Sequence, residues 1–309
     1  MELMDVTHWK DDIFSDYGGY TRKCGKIDEN GNRWMVKFEK KHSFRCVPLN
    51  LFNQHINSEI LRMCGFDTHE TFLGTCGDYL VLCCKNFVPK DSKLITFDVF
   101  LRQLYNSYEL TEIVDVDQFE RVLNENELLR PHRNELVKSF WNMVVLDVFI
   151  GNLERTIRDF GYIVSKDSVT PAPLFDNRSD GQACTIPLRQ NNKAILRDDI
   201  LFSHSFKDFN DFNDAITRIV PVLETKMAQI HNLVYEQECL SEAQKSFKIE
   251  QLQKSLYDLK CSYNLNQIIS TMEIEDLSLT EQAYENLREI ARGQKTVNEI
   301  IEEIKRRYS

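Results

Sequence analysis

The chain has 309 residues, a formal charge of −10 and a hydrophobic share of 42% with 11% aromatics. That composition excludes a disordered chain and suits one large domain or two lobes, each with its own core. The acidic balance argues against a nucleic-acid surface, which needs a basic footprint, and no apolar run is long enough to span a bilayer.

The first residues, Met1-Glu2-Leu3-Met4-Asp5, carry acids where a secretory leader carries Lys or Arg ahead of an apolar run. Nine cysteines form no C-x-x-C pair, and the odd count leaves at least one unpaired. Cys83 and Cys84 are neighbours on an expected strand, where a mutual bridge would be strained, so a reduced, cytoplasmic setting is expected.

The N-terminal part reads as mainly β with one helix. Asn30-Gly31 makes a hairpin turn between Cys24–Ile27 and Arg33–Phe38. A helix over 49–64 is stopped by Gly65, and Thr71–Gly74 and Tyr79–Cys84 form a second strand pair around Gly77-Asp78. From about Ile95 the pattern turns helical. Phe97, Phe100, Leu101 and Leu104 recur at helical spacing, as do Leu136, Phe140, Val144 and Val148 in a helix over 131–150. A β interruption spans 160–175, and helices resume from about 208. The fold class expected is α+β with two lobes. A β-rich lobe covers 1–88, a larger helical lobe containing a hairpin covers 89–240, and a helical extension covers 241–309.

Several residues suit phosphate chemistry. Phe160–Val164 and Ala172–Phe175 read as antiparallel strands with 160 opposite 175, which sets Asp159 and Asp176 face to face beyond the ladder. Two opposed carboxylates repel unless a cation lies between them. They are either ligands of a magnesium ion bound with nucleotide phosphates or two solvated acids at a hairpin end. Glu154, five residues before Asp159, is either a surface acid or a group that takes the proton of an attacking hydroxyl or orients it.

Period two puts Trp34, Val36 and Phe38 on one face of their strand and Met35 with Lys37 on the other. Lys37 then either snorkels to water or anchors phosphates in a cleft, with Glu59 on the next helix placed to hold it by an ion pair. Tyr17-Gly18-Gly19-Tyr20 offers backbone N–H groups to an anion, or is a simple turn; it matches neither G-x-G-x-x-G nor the Walker pattern. A glycine turn, a strand lysine, a helix glutamate, a loop acid and two metal-capable acids follow one another in kinase order.

Asp147–Gly161 (DVFIGNLERTIRDFG) resembles the catalytic segment of HipA-like kinases, typically G-N-T-D-R-H-x-x-N-F-G. Pro173–Asn177 resembles that family's metal-binding strand end. The Gly18-Gly19 turn, Trp34–Phe38, Asn57–Ile60 and Cys64-Gly65-Phe66 fit its nucleotide-binding lobe in order and spacing, so that the resemblance covers about residues 12–235. It implies a serine/threonine protein kinase that uses ATP and Mg2+, phosphorylates itself and acts on a protein substrate. It also implies a bacterial effector or toxin, with non-classical export or entry into host cells. Lys37 would contact the ATP phosphates with Glu59 holding it. Gly18, Gly19 and Tyr20 would bind ATP, and Cys83, Cys84 and Asn86 would form the hinge against the adenine. Glu154 falls where the family has its catalytic aspartate, Asp159 where it has a metal-binding asparagine, and Asp176 on the second metal ligand.

Three departures bear on activity. Glu154 is one methylene longer than aspartate, Thr156 replaces a histidine, and Asp159 adds charge beside Asp176. They retune a working enzyme or mark a nucleotide-binding pseudokinase that acts by protein contact. A lipid or small-molecule kinase is the other reading. Beyond 240, capping boxes at Ser278–Glu281 and Thr296–Glu299, separated by Gly293, mark a helical hairpin. It is either a packing addition or a regulatory segment, and Lys305-Arg306-Arg307 complements the last helix's dipole.

Overall fold

The computed structural model describes residues 3–13, 15, 17, 22–38, 49–106, 112–152, 155–179, 185–202, 210–275 and 279–308. A six-stranded sheet comes first. Its strands are β1 (Met4–Asp5), β2 (Lys10–Asp11), β3 (Lys23–Ile27), β4 (Arg33–Phe38), β5 (Thr71–Cys76) and β6 (Tyr79–Lys85), in the order β1-β5-β6-β4-β3-β2. The β3–β4 loop is held by Asp28, whose carboxylate accepts from the N–H of Asn30 and Asn32 and from Trp34 Nε1, while Gly31 takes the left-handed conformation at φ 81°.

The alternation along β4 is as expected. Trp34, Val36 and Phe38 join Val6, Val81 and Cys83 in a small outer cluster, whereas Met35 packs inward. Helix α1 (Leu49–Met63) covers the inner face with Leu51, Phe52, Ile56 and Ile60, and ends at Gly65.

The second lobe begins with β7 (Lys93–Thr96), α2 (Phe97–Tyr105), β8 (Val114–Asp115) and α3 (Val116–Glu125). Helix α4 (Arg133–Ile150) is buried on every side from Met143 to Ile150 and stops at Gly151, φ 76°. Then follow β9 (Gly161–Val164), β10 (Val169–Pro171), β11 (Thr185–Gln190), β12 (Lys193–Leu196) and α5 (Arg197–Phe202). Four helices complete the chain: α6 (Asn210–Tyr235), α7 (Glu242–Ile274), α8 (Glu281–Ala291) and α9 (Val297–Tyr308).

Two small sheets, β10-β9-β7 and β12-β11-β8, lie within this lobe. The sequence reading contains neither β7 nor the β11–β12 hairpin, although Asn191-Asn192 is a primed-turn pair with both φ values positive, 51° and 62°. The β9 hairpin also differs in register. Tyr162 pairs with Pro171 and Val164 with Val169, and Leu174 has left the hairpin to bridge Thr68 of the first lobe. Asp159 and Asp176 therefore do not face each other across the ladder.

One continuous apolar core runs from α1 and the inner sheet face through α4 and α6 to Ile249, Leu252, Leu256 and Leu259 of α7. None of the described helices is long and apolar enough to cross a membrane.

Candidate active site

β4 and β6 present a row of inward groups beside the lobe boundary. Lys37 is 5% exposed, and its Nζ donates to Asp176 Oδ1 at 2.7 Å and to Gln54 Oε1 of α1 at 2.9 Å. The strand lysine and the expected metal ligand, 139 residues apart, thus meet as a partly buried ion pair. Glu59 is not the partner: its carboxylate pairs with Arg62 at 2.5 Å on the same helix. Gln54 takes the place expected of it. Cys84 lies on the Lys37 side of the sheet, where burial raises its thiol to about 11. The Cys83 side chain points into the outer cluster, so that only its backbone can serve a hinge. At Asn86 the chain turns between lobes: its N–H donates to Arg33 O, and its Oδ1 accepts from Val88 N.

Asp176 adopts a left-handed φ of 56° and takes a second cation, Arg178 Nη2, at 2.5 Å on Oδ2. Burial pushes this carboxyl up, but Lys37 and then Arg178 outweigh it and hold Asp176 well below the ordinary carboxylate range. Lys23 sits opposite Lys37 in the ladder. Its ammonium is held down first by burial and then by the neighbouring Lys37 charge. Three cations around one carboxylate make this inner corner electropositive, as polyphosphate binding requires.

Asp159 closes a turn: its Oδ2 accepts from the backbone N–H and the hydroxyl of Thr156, both at 2.9 Å. Arg155 joins the turn to the Asp176 segment. Its Nη1 donates to Asp159 O (2.7 Å) and Phe175 O (2.9 Å), and its Nη2 to Asn177 Oδ1 (3.0 Å). Both ends of its fork also engage Asp147 of α4, which in turn accepts from Asn152 Nδ2. Arg155 so gathers Asp159 and Asp176 to one place, a role the hairpin ladder was expected to fill. From Asn177 the polar chain continues into the first lobe through Ser58 Oγ to His69 Nε2, and Asn57 Nδ2 donates to Asn177 O. Sequence reasoning passed over Arg155, Asn177, Gln54 and Lys23. Arg155 had a visible signal, since it matches the R of the resembled motif, and Asn177 closes the resembled strand-end segment.

Glu154, Gly18, Gly19 and Tyr20 lie outside the described residues. No group of three or more His, Cys, Asp or Glu is arranged to hold a metal among the described residues. The two-carboxylate set nevertheless fits magnesium. Asp176 is held ionised, and Asp159 Oδ1 takes no hydrogen bond among the described residues. Magnesium uses one or two such carboxylates and takes its other ligands from phosphates and water.

A β-rich lobe with an inward lysine, a helical lobe bringing two aspartates to it and a continuous core between them define a two-lobed, kinase-like fold. No protein-family model matches the chain. It is similar to the serine/threonine-protein kinase CtkA of Helicobacter pylori (strain J99 / ATCC 700824), 25% identical over 281 residues, which cover 80% of this chain and 83% of that protein. The crystal structure of the H. pylori proinflammatory kinase CtkA matches with a TM-score of 0.75 at 21% identity, covering 87% of this chain and 99% of that one. HipA of Shewanella oneidensis MR-1, from its complex with HipB and operator DNA, matches at 0.59 and 12% identity, covering 90% of this chain and 70% of that one. The structural matches show the fold, and the sequence likeness to CtkA supports a kinase-like phosphotransferase.

Proposed function

We propose that this chain is an ATP- and magnesium-dependent serine/threonine protein kinase that phosphorylates itself and a protein acceptor. The observation that carries the reading is the partly buried contact of Lys37 with Asp176 across the lobe boundary. A lysine and an aspartate from distant parts of the chain are partly buried together at real desolvation cost. Such a pair is suited to exchange partners when phosphates and a metal arrive.

Lys37 and Lys23 would bind the phosphates from the sheet, with Gln54 keeping Lys37 aimed. The backbone from Cys83 to Asn86 would meet the adenine, and the Gly18-Gly19-Tyr20 turn would cover the phosphates. Asp159 and Asp176 would hold magnesium, which when bound neutralises charge on the transferring phosphoryl group. Arg178, 37% exposed, is the Asp176 partner able to yield its place. Glu154 would accept the acceptor hydroxyl's proton or orient that hydroxyl. Arg155 keeps the Asp159 turn and the Asp176 segment at fixed separation, so that the acids need not be assembled on each turnover.

Incubation of the full chain with γ-labelled MgATP and a general acceptor protein tests this. Wild type should take up label, and Glu154→Gln and Asp176→Asn should each lose it by about 100-fold or more. Asp176→Asn should also weaken magnesium-dependent nucleotide binding, while Glu154→Gln leaves it near wild type. Equal nucleotide affinities in the two variants would overturn the division of roles. Nucleotide binding without label would favour a pseudokinase, and label in an organic extract rather than in protein would favour a lipid kinase.

A further inference from the structure

We infer that Ser179 is a phosphorylation site of this chain, and that Lys248 of α7 is the cation that receives its phosphate. Five Lys or Arg residues are buried among the described residues: Lys26, Lys37, Arg155, Lys245 and Lys248. The first four have carboxylate partners in Asp11, Asp176, Asp147 and Glu242. Lys248, 4% exposed, has none among the described residues. Its Nζ lies 3.3 Å from Ile150 O and 3.4 Å from both Ser179 Oγ and Gln251 Oε1, all neutral groups near the long limit of hydrogen bonding. Burial alone pushes the Lys248 ammonium down to about 7. Among the described residues this buried cation meets only neutral groups, and so lacks the partner that normally offsets desolvation.

The location says which anion would supply it. Ile150 ends α4, just before the segment leading to Asp159, and Ser179 stands three residues beyond Asp176. Helix α7 sits tightly here, since a Cβ on Gly151 would lie 2.0 Å from Gln251 Nε2. Of the three described groups that Lys248 contacts, a carbonyl, an amide and a hydroxyl, only the hydroxyl can acquire negative charge. Ser179 as a residue is half-buried rather than enclosed. A phosphoserine carries a charge of about −1.5 to −2 at neutral pH and three strong acceptor oxygens. In the step itself Ser179 Oγ bonds to the γ-phosphorus of ATP and the bond to the β–γ bridging oxygen breaks. ADP leaves with that electron pair, and the hydroxyl proton passes to water. This inference rests on the kinase reading above. It adds a regulatory link, because phosphate at Ser179 would tie the Asp176 segment to α7 and the end of α4.

The test is phosphosite mapping by mass spectrometry of the full chain after incubation with MgATP, followed by 31P NMR titration of the phosphorylated protein. Lys248→Met and Lys248→Arg are compared with wild type, the methionine keeping the buried stem. Phosphate should map to Ser179. Its second ionisation should lie about one pH unit below the ordinary value near 6 in wild type and Lys248→Arg, and return to about 6 in Lys248→Met. Label on other residues but none on Ser179 would overturn the inference while leaving the kinase reading intact. An ionisation identical in wild type and Lys248→Met would overturn Lys248 as the receiving cation. Label on neither this chain nor a general acceptor protein would remove the kinase reading, and this inference with it.

Discussion

Arg155 is 4% exposed and donates from three nitrogens to Asp147, Asn177 and two backbone carbonyls. Arg155→Met leaves Asp147 buried without its partner, and should cost about 3–5 kcal/mol of stability in denaturant unfolding. Asp147→Leu combined with Arg155→Met should cost less than Arg155→Met alone, because the orphaned carboxylate is gone as well. His69 makes a pH prediction. Burial first, and the Lys37 charge second, push it from 6.5 down to about 3. The folded state keeps it neutral and the unfolded state takes a proton, so its contribution is complete above about 6.5 and is lost as pH falls toward 3. Between pH 7 and 5 that loss is about 2 kcal/mol. His55, also held down by burial, has the same sign, so the check is the difference in urea midpoint between wild type and His69→Asn at the two pH values. The Asp176 contribution has another window, complete above its ordinary value near 3.8 and lost only as pH falls below it. At this scale Lys37 was legible because strand periodicity fixes its face. Its partner was not. Gln54, Asn57 and Ser58 share one face of α1, while Glu59 lies about 140° round from Gln54. Choosing a partner by charge overlooked the neutral residue on the correct side.

At the scale of elements, α7 is part of the second lobe's core. Ile249, Leu252, Leu256 and Leu259 pack with α4 and α6, and Lys248 reaches Ile150. By contrast α9 buries Ile300 but leaves Val297, Ile301 and Ile304 between 42% and 55% exposed. A chain ending at 275 should keep its thermal midpoint within a few degrees of the full chain, whereas one ending at 241 should be insoluble or lose its cooperative transition. Circular dichroism melting separates these outcomes. Strands bounded by Gly31 and Gly77 were readable because a left-handed turn residue sat between alternating apolar runs. The register of β9 was not. Its partner β10 is three residues long, and a two-residue shift keeps every side chain on the same face, so hydrophobic pattern cannot choose between the two. What selects the register is tertiary: Leu174 is drawn off to Thr68, and Arg155 clamps Phe175.

Taken as a whole, the molecule joins its lobes by ionic, polar and aromatic contacts. Lys37 meets Asp176, Asn177 reaches Ser58, and Phe87 stacks on Phe175 with centroids 5.8 Å apart. Ser58→Ala should remove the polar contact without altering the apolar core. Hydrogen exchange should then quicken at His69, whose N–H donates to Leu174 O, and at Leu174, whose N–H donates to Asp67 O across the boundary. Protection unchanged at both sites would mean that the remaining contacts hold the lobes without Ser58.

The 139-residue separation of Lys37 and Asp176 also bears on biosynthesis. At about 5–20 residues per second, the ribosome needs on the order of ten seconds between making the lysine and making its partner. Throughout that interval the first lobe can pair its strands, yet it holds an ammonium on the face that must later be covered. Slower elongation across 39–176 lengthens this exposure, and faster elongation shortens it. Yield of soluble protein should therefore follow codon speed in the middle of the message more closely than at either end.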